Sequence, residues 1–219
     1  MNDRQPAGSG RAFRDKVQAM MRTSILDAAW ARAIELPWAQ VRIADVADDV
    51  GISRQTIYNE FGTKDQLGEA VFARELDKFL VEMEARFRSA DRFSESVRIA
   101  LDWMVEETAG HALLARIVND ARNGSDQSLV ALLTVRSEAI LLPVRDRLVE
   151  MVMLRWPEGD RAAATVVADL MVRLVLGLVV TPTDLDRSAV VDAMVTMAMH
   201  VDVRSDGPGG VGVKEGSGK

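Results

Sequence analysis

Apolar residues recur along this chain at steps of three and four, and no alternating run is bounded by hairpin turns. The pattern predicts an all-α protein of about nine helices. The first runs from position 13 or 16 to 36, where Pro37 removes a backbone donor and stops it. Two short helices follow over 43–50 and 53–61. A long fourth helix begins near Thr63 and carries Phe72, Leu76, Phe79, Leu80, Met83 and Phe87 on one face. Further helices fit 94–108, 111–121, 127–156, 158–180 and 184–203, punctuated by Gly110, Asn123-Gly124-Ser125, Pro157 and Pro182. Pro143, inside the seventh, should kink it. Residues 205–219 hold six of the chain's 15 glycines and no core pattern, so they read as a disordered tail. There is no internal repeat.

The most informative stretch is 43–67. Ala47 is small enough for a second helix to cross closely, and Gly51 can take the left-handed conformation that ends a helix. Ser53 can cap the next helix. Val46, Val50, Ile52 and Ile57 fill the angle between the two helices. This is the pattern of a helix-turn-helix, whose second helix enters the DNA major groove. A plain helical hairpin has the same turn, but a packing helix needs more apolar residues than this one has. Over 53–61 only Ile57 and Phe61 are clearly apolar, while Arg54, Gln55, Thr56, Tyr58 and Asn59 offer polar groups to bases and phosphates. Arg bonds guanine and Gln bonds adenine, and the first turn of such a helix is the part that reaches base edges.

Charge fits a local reader of DNA rather than a protein that coats it. The net charge is −6 over 219 residues, yet residues 1–66 hold nine Lys/Arg against nine Asp/Glu. The neutral N-terminal part sits on an acidic remainder. Arg4, Arg11, Arg14, Lys16 and Arg22 make the start locally basic, and residues 1–12 read as a flexible basic tail. With 48% hydrophobic residues a substantial core is possible. No Cys is present, which excludes disulfides, thiol catalysis and thiolate metal sites. The first ten residues are polar and lack the apolar centre of a signal peptide. The longest apolar run, 162–180, is interrupted by Asp169 and Arg173 one turn apart, which favours a buried or interfacial helix over a membrane span. A cytoplasmic location is expected.

On the first helix, Ile25-Leu26-Asp27-Ala28-Ala29 precedes the helix-turn-helix without a gap, and Tyr58, Phe61, Lys64 and Leu67 follow it in register. Over residues 22–71 this is similar to the tetracycline-repressor (TetR) family of bacterial transcription regulators. The resemblance implies a DNA-binding segment over 13–66 and a divergent ligand-binding and dimerisation domain over 67–204. It marks Arg42, Ser53, Arg54, Gln55, Thr56, Tyr58, Asn59 and Lys64 as the DNA-binding set, with Tyr58 and Lys64 as phosphate contacts. Several positions depart from the family pattern. Pro37-Trp38 stands where the first helix usually ends at Gly and an aromatic, so the corner must turn differently. Ala33 replaces an aromatic, and Arg42 replaces a capping Thr. Glu60 puts a negative charge on the recognition helix, where it must face away from phosphate or pair with a cation.

The same resemblance implies an effector pocket in the C-terminal region. Its candidates are Phe79, Met83, Phe87, Trp103, Met104, Glu107, Ile117, Ile140, Leu141 and Val144, each of which reads more simply as core, together with Arg173. The 11 Met residues suit an adaptable cavity. Arg173 lies in an apolar run, where it either pairs with Asp169, Asp102 or Glu106 or anchors a ligand carboxylate. Apolar walls favour a hydrophobic effector, a fatty acid or similar amphiphile. The eighth and ninth helices are expected to form a homodimer interface through Ala164, Ala168, Gly177, Val191, Met194, Val195 and Ala198. Glu107 and His111 lack a third ligand, so no metal or other cofactor is expected. The expected function is a ligand-responsive repressor of a palindromic operator, not an enzyme: no nucleophile elbow, phosphate loop or metal cluster is present. The alternatives are a helical small-molecule-binding adaptor or enzyme without DNA binding.

Overall fold

The computed structural model describes residues 8–124 and 137–200. Among them lie nine α-helices and no strand: α1 (Gly8–Glu35), α2 (Ile43–Val50), α3 (Arg54–Phe61), α4 (Lys64–Phe87), α5 (Phe93–Gly110), α6 (Ala112–Arg122), α7 (Glu138–Arg155), α8 (Arg161–Val180) and α9 (Arg187–His200), with a 3-10 turn at Trp38–Gln40. The first turns of the helix expected over 127–156, the end of the ninth and the tail at 205–219 lie outside the described residues. One expectation is corrected at the start of the chain. Residues 8–12, read as flexible tail, are the opening residues of α1. Helix α7 continues through Pro143, its sixth residue, where the missing N–H forfeits one intrahelical bond.

The chain forms two compact units. One contains residues 8–85 with 106–124, the other 86–105 with 138–200. In the first, α1 turns Ile25, Leu26, Ala29 and Ala33 inward, at helical spacing. Val46 and Ala47 of α2, Ile57 and Phe61 of α3, and Leu67 and Val71 of α4 are buried in the same unit, where α2 packs on both α1 and α3. Each large side chain fully withdrawn from water contributes about 1.5–3 kcal/mol. Charged groups then fix the helix positions. Arg32 of α1 donates to the Asp49 carboxylate of α2 at 2.6 and 2.8 Å. Arg74 of α4 donates to Asp27 at 2.7 Å and to the Leu26 carbonyl at 3.2 Å, both on α1.

The departing Pro37-Trp38 corner closes by different means from a left-handed glycine. Pro37 stays extended, and the 3-10 turn follows with Gln40 N–H donating to the Pro37 carbonyl and Val41 N–H to that of Trp38. The Trp38 indole is 3% exposed and lies directly on Gly68 of α4. A Cβ at Gly68 would stand 2.7 Å from Trp38 Cε2, so the corner and that glycine require each other.

In the second unit, Phe87, Phe93 and Trp156 meet edge to face in all three pairings, with centroids 5.0–6.5 Å apart. Helices α7 and α8 pack along each other. Asp160 caps α8, its carboxylate accepting from Ala162 N–H at 2.8 Å and Ala163 N–H at 3.3 Å. The inward stripe of α8 is Ala164, Ala168, Met171, Val172 and Val175, and that of α9 is Val191, Met194, Val195 and Ala198. This corrects the expected dimer surface. Six of the seven residues named for it are buried within their own chain, because the small and apolar positions follow the inward period. Gly177 alone of the seven is exposed. The outward stripe of α8 is Val166, Leu170, Leu174 and Gly177, at steps of four, four and three. Helix α8 is also long and apolar enough to cross a membrane by length and composition, with 28% of its most apolar window buried here.

Candidate nucleic-acid interface

The turn between α2 and α3 is built as its residue types demand. Gly51 takes φ 75°, ψ 34°, and the Gly51 and Ile52 N–H groups donate back to the Asp48 and Ala47 carbonyls. Ser53 then caps α3, its Oγ accepting from Thr56 N–H at 3.1 Å. On α3, Ile57 is 1% and Phe61 8% exposed, which fixes the helix on its base. Arg54, Gln55, Tyr58 and Asn59 are exposed and share one side, at steps of one, three and one. Gln55 Nε2 donates to Asn59 Oδ1 at 2.8 Å, which ties the two amides together. These four side chains form a row of donors and acceptors on a rigid helix, suited to base edges and phosphates.

The other expected contacts sit at its margins. Thr56 is half-buried, and its hydroxyl lies 2.9 Å from Ser53 Oγ, so the pair serves the cap. Arg42 is exposed on extended backbone just before α2 and makes no side-chain cap, leaving its carbonyl to accept from Asp45 and Val46. Lys64 opens α4, donates to the Ala39 carbonyl at 2.9 Å and lies 5.7 Å from the Trp38 ring centroid. Its ammonium is therefore held beside the corner while remaining exposed to solvent.

Glu60 does not face the reading side. Its carboxylate, 12% exposed, accepts from Gln18 Nε2 at 3.0 Å and Arg22 Nη1 at 2.9 Å, both on α1. The Gln18 hydrogen bond and the Arg22 guanidinium hold it below the ordinary carboxyl range. Arg22 also stacks over Phe61, its Cζ 4.4 Å from the ring centroid. The sequence shows the need for a cation near Glu60 but not which one, because 38 residues separate the partners. A second missed feature was legible. Thr63 and Gln66 form a reciprocal capping box at the start of α4: Gln66 N–H donates to Thr63 Oγ1 and Thr63 N–H to Gln66 Oε1. Arg116 was missed as well. From α6 it donates to the Glu35 carbonyl at the last turn of α1.

The effector candidates divide between the two units. Phe79, Met83, Glu107 and Ile117 belong to the first, and Phe87, Trp103, Met104, Ile140, Leu141, Val144 and Arg173 to the second. Met83, Phe87, Met104, Ile117, Ile140, Leu141 and Val144 are buried, and Phe79, Trp103 and Glu107 are half-buried. The buried-charge premise for Arg173 is corrected. Its side chain is 59% exposed and pairs with Asp169 at 2.6 Å one turn away, which holds its proton more tightly than usual. Arg145 approaches the same carboxylate at 3.9 Å. His111 packs edge-on against Trp30 at 5.7 Å, and burial pushes its pKa down. No group of three metal-ligating side chains converges among the described residues.

Comparison with known proteins gives the same architecture over most of the chain. Residues 25–71 match the family described as bacterial regulatory proteins, tetR family. Residues 93–200 match the bacterial tetracyclin repressor, C-terminal domain. The HTH-type transcriptional regulator AlkX of Mycobacterium tuberculosis is 27% identical over 181 residues, covering 82% of this chain and 84% of that protein. Among solved structures, the TetR family repressor AlkX of Dietzia sp. strain DQ12-45-1b, implicated in biodegradation of n-alkanes, superposes with a TM-score of 0.67 at 19% identity. It covers 82% of this chain and 94% of its own. A TetR-family regulator of Pectobacterium atrosepticum gives 0.58 at 15% identity, covering 85% and 94%. The two matched segments together span well over half the sequence, and they meet a capped helix-turn-helix with an exposed polar reading face: the chain belongs to the TetR family of DNA-binding transcriptional regulators.

Proposed function

We propose that this regulator is a cytoplasmic homodimeric repressor that holds a palindromic operator and releases it on binding a hydrophobic small molecule. The observation that carries the reading is the exposed row Arg54, Gln55, Tyr58 and Asn59 on a helix anchored by Ile57 and Phe61. A two-fold dimer presents two such helices to successive major grooves, which is why the operator is a palindrome. The outward stripe Val166, Leu170, Leu174 and Gly177 supports dimerisation, since water-exposed apolar residues in a row gain from mutual burial. The expected pocket residues are predominantly apolar, which favours an aliphatic effector. With Arg173 exposed and bound to Asp169, the aliphatic chain rather than a carboxylate anchored there carries recognition. The relative named for n-alkane biodegradation is in keeping with such a ligand.

The test is a gel-shift titration on DNA upstream of the chain's own gene. Wild type is compared with Arg54→Ala, followed by a series of alkanes, fatty acids and fatty acid esters. Retention of one duplex by wild type, its loss in Arg54→Ala and its release by aliphatic compounds support the reading. Release by polar metabolites alone removes the hydrophobic effector. No retention at low salt removes the repressor and leaves a helical adaptor.

A further inference from the structure

Helix α1 runs 28 residues, yet its packing against the rest of the unit starts late. Every residue from 10 to 20 is exposed, and the first fully buried one is Ile25. Exposed helix of this length is marginal by itself, so it gains from a partner along its faces. Its two faces differ. Arg11, Arg14, Gln18 and Arg22 follow steps of three, four and four along one face. Phe13, Val17 and Met20, 68%, 48% and 62% exposed, line a roughly opposite one. Asp15 is the only acid in residues 8–22, against Arg11, Arg14, Lys16 and Arg22.

The basic face is continuous with the reading head. Gln18 and Arg22, its last two members, are the groups that grip Glu60 on α3. That grip fixes where the helix goes when α3 lies in the major groove. Arg11 stands seven residues beyond Gln18, about 10 Å along the axis at a rise of 1.5 Å per residue. Arg14 makes a local bond to the Gly10 carbonyl at 3.2 Å through Nε.

We propose that the first turns of α1 are a second DNA contact, in which Arg11 and Arg14 hold backbone phosphates flanking the site read by α3. The inference rests on the reading of the chain as a DNA-binding regulator. It assigns Glu60 a positioning role: the carboxylate orients the α1 extension beside the recognition helix while its own charge is neutralised by Arg22. Charge complementarity selects a polyanion, and the tether to α3 selects the one already bound there.

The test uses the full chain and two duplexes from its upstream DNA. One is trimmed to the footprint, and the other carries about one helical turn of flanking DNA at each end. On the long duplex, Arg11→Gln/Arg14→Gln should weaken binding roughly tenfold or more and flatten the salt dependence by about 0.9 for each phosphate no longer held. On the trimmed duplex it should bind as wild type does. Arg11→Lys/Arg14→Lys should restore the long-duplex affinity, and circular dichroism should show equal helicity in all three. Equal binding of wild type and the Gln variant to the long duplex overturns the proposal. So does an equal loss on both duplexes, which would place the effect in the reading head. Anionic phosphatidylglycerol vesicles test the amphipathic alternative. Loss of vesicle binding by the Gln variant with DNA affinity intact would make a membrane the partner and overturn a DNA role. If wild type holds neither duplex, the regulator reading fails and takes this one with it, an outcome distinct from any difference between variants.

Discussion

Gly68→Ala is the sharpest probe of how this chain closes the corner between α1 and its helix-turn-helix. Alanine is the better helix former by about 0.8–1 kcal/mol, so at an open helical position the change would stabilise. Gly68 is not open. The new Cβ would stand 2.7 Å from Trp38 Cε2, 2.9 Å from Cζ2 and 2.9 Å from Nε1. Ordinary carbon contacts lie near 3.5–4.0 Å, so about 1 Å of movement is needed. The indole is 3% exposed and held by the 3-10 turn, so it has little room to yield. Overpacking costs about 1–3 kcal/mol, and three contacts under 3.0 Å put this site in the upper part of that range, about 2–3, so subtracting the propensity gain leaves a net loss of about 1–2 kcal/mol. For a chain of this size that lowers the melting temperature by roughly 2–8 °C, measured at fixed protein concentration. Trp38→Leu removes the three nearest atoms the Cβ would meet. In that background Gly68→Ala should be neutral or stabilising, and the double-mutant cycle should give a clear coupling. A Gly68→Ala protein that melts no lower than wild type, or a loss of equal size in both backgrounds, would refute the contact argument.

Other outcomes follow from the same geometry. Arg54→Ala or Gln55→Ala should each cost about 1–3 kcal/mol of operator binding and little on random DNA, whereas Lys64→Ala should weaken both alike, read by competition gel shift. Leu170→Glu should give monomers by sedimentation and abolish tight operator binding, while Ala198→Glu, at a position 1% exposed, should lower the melting temperature instead. The Glu60 carboxyl is held below its ordinary value of 4.5 in the folded chain, so its contribution to stability is present above that value and is lost as pH falls through the depressed one. Glu60→Gln should therefore flatten the acid limb of thermal stability; an unchanged limb would remove the assignment.

The sequence by itself determined the helical class, the helix-turn-helix and the exposed polar row on its second helix. These are local properties: a period of three to four, a glycine able to take positive φ at 51, a serine able to cap at 53, and two apolar residues spaced by four on an otherwise polar helix. Each acts within one or two turns, so each is legible in order along the chain. Tertiary structure decided what depends on partners distant in sequence. It gave Glu60 to Gln18 and Arg22, Arg74 to Asp27, and Gly68 to Trp38. It also decided which of two plausible stripes on α8 faces inward. Ala164 and Ala168 looked like a dimer surface because small residues permit close approach, but the same property suits the packing of a helix within its own chain. Arg173 shows the limit from the other side. An arginine in an apolar run reads as buried, yet on a helix the run winds through every direction. At position 173 it points to water, where Asp169 one turn back is the nearest charge to meet it.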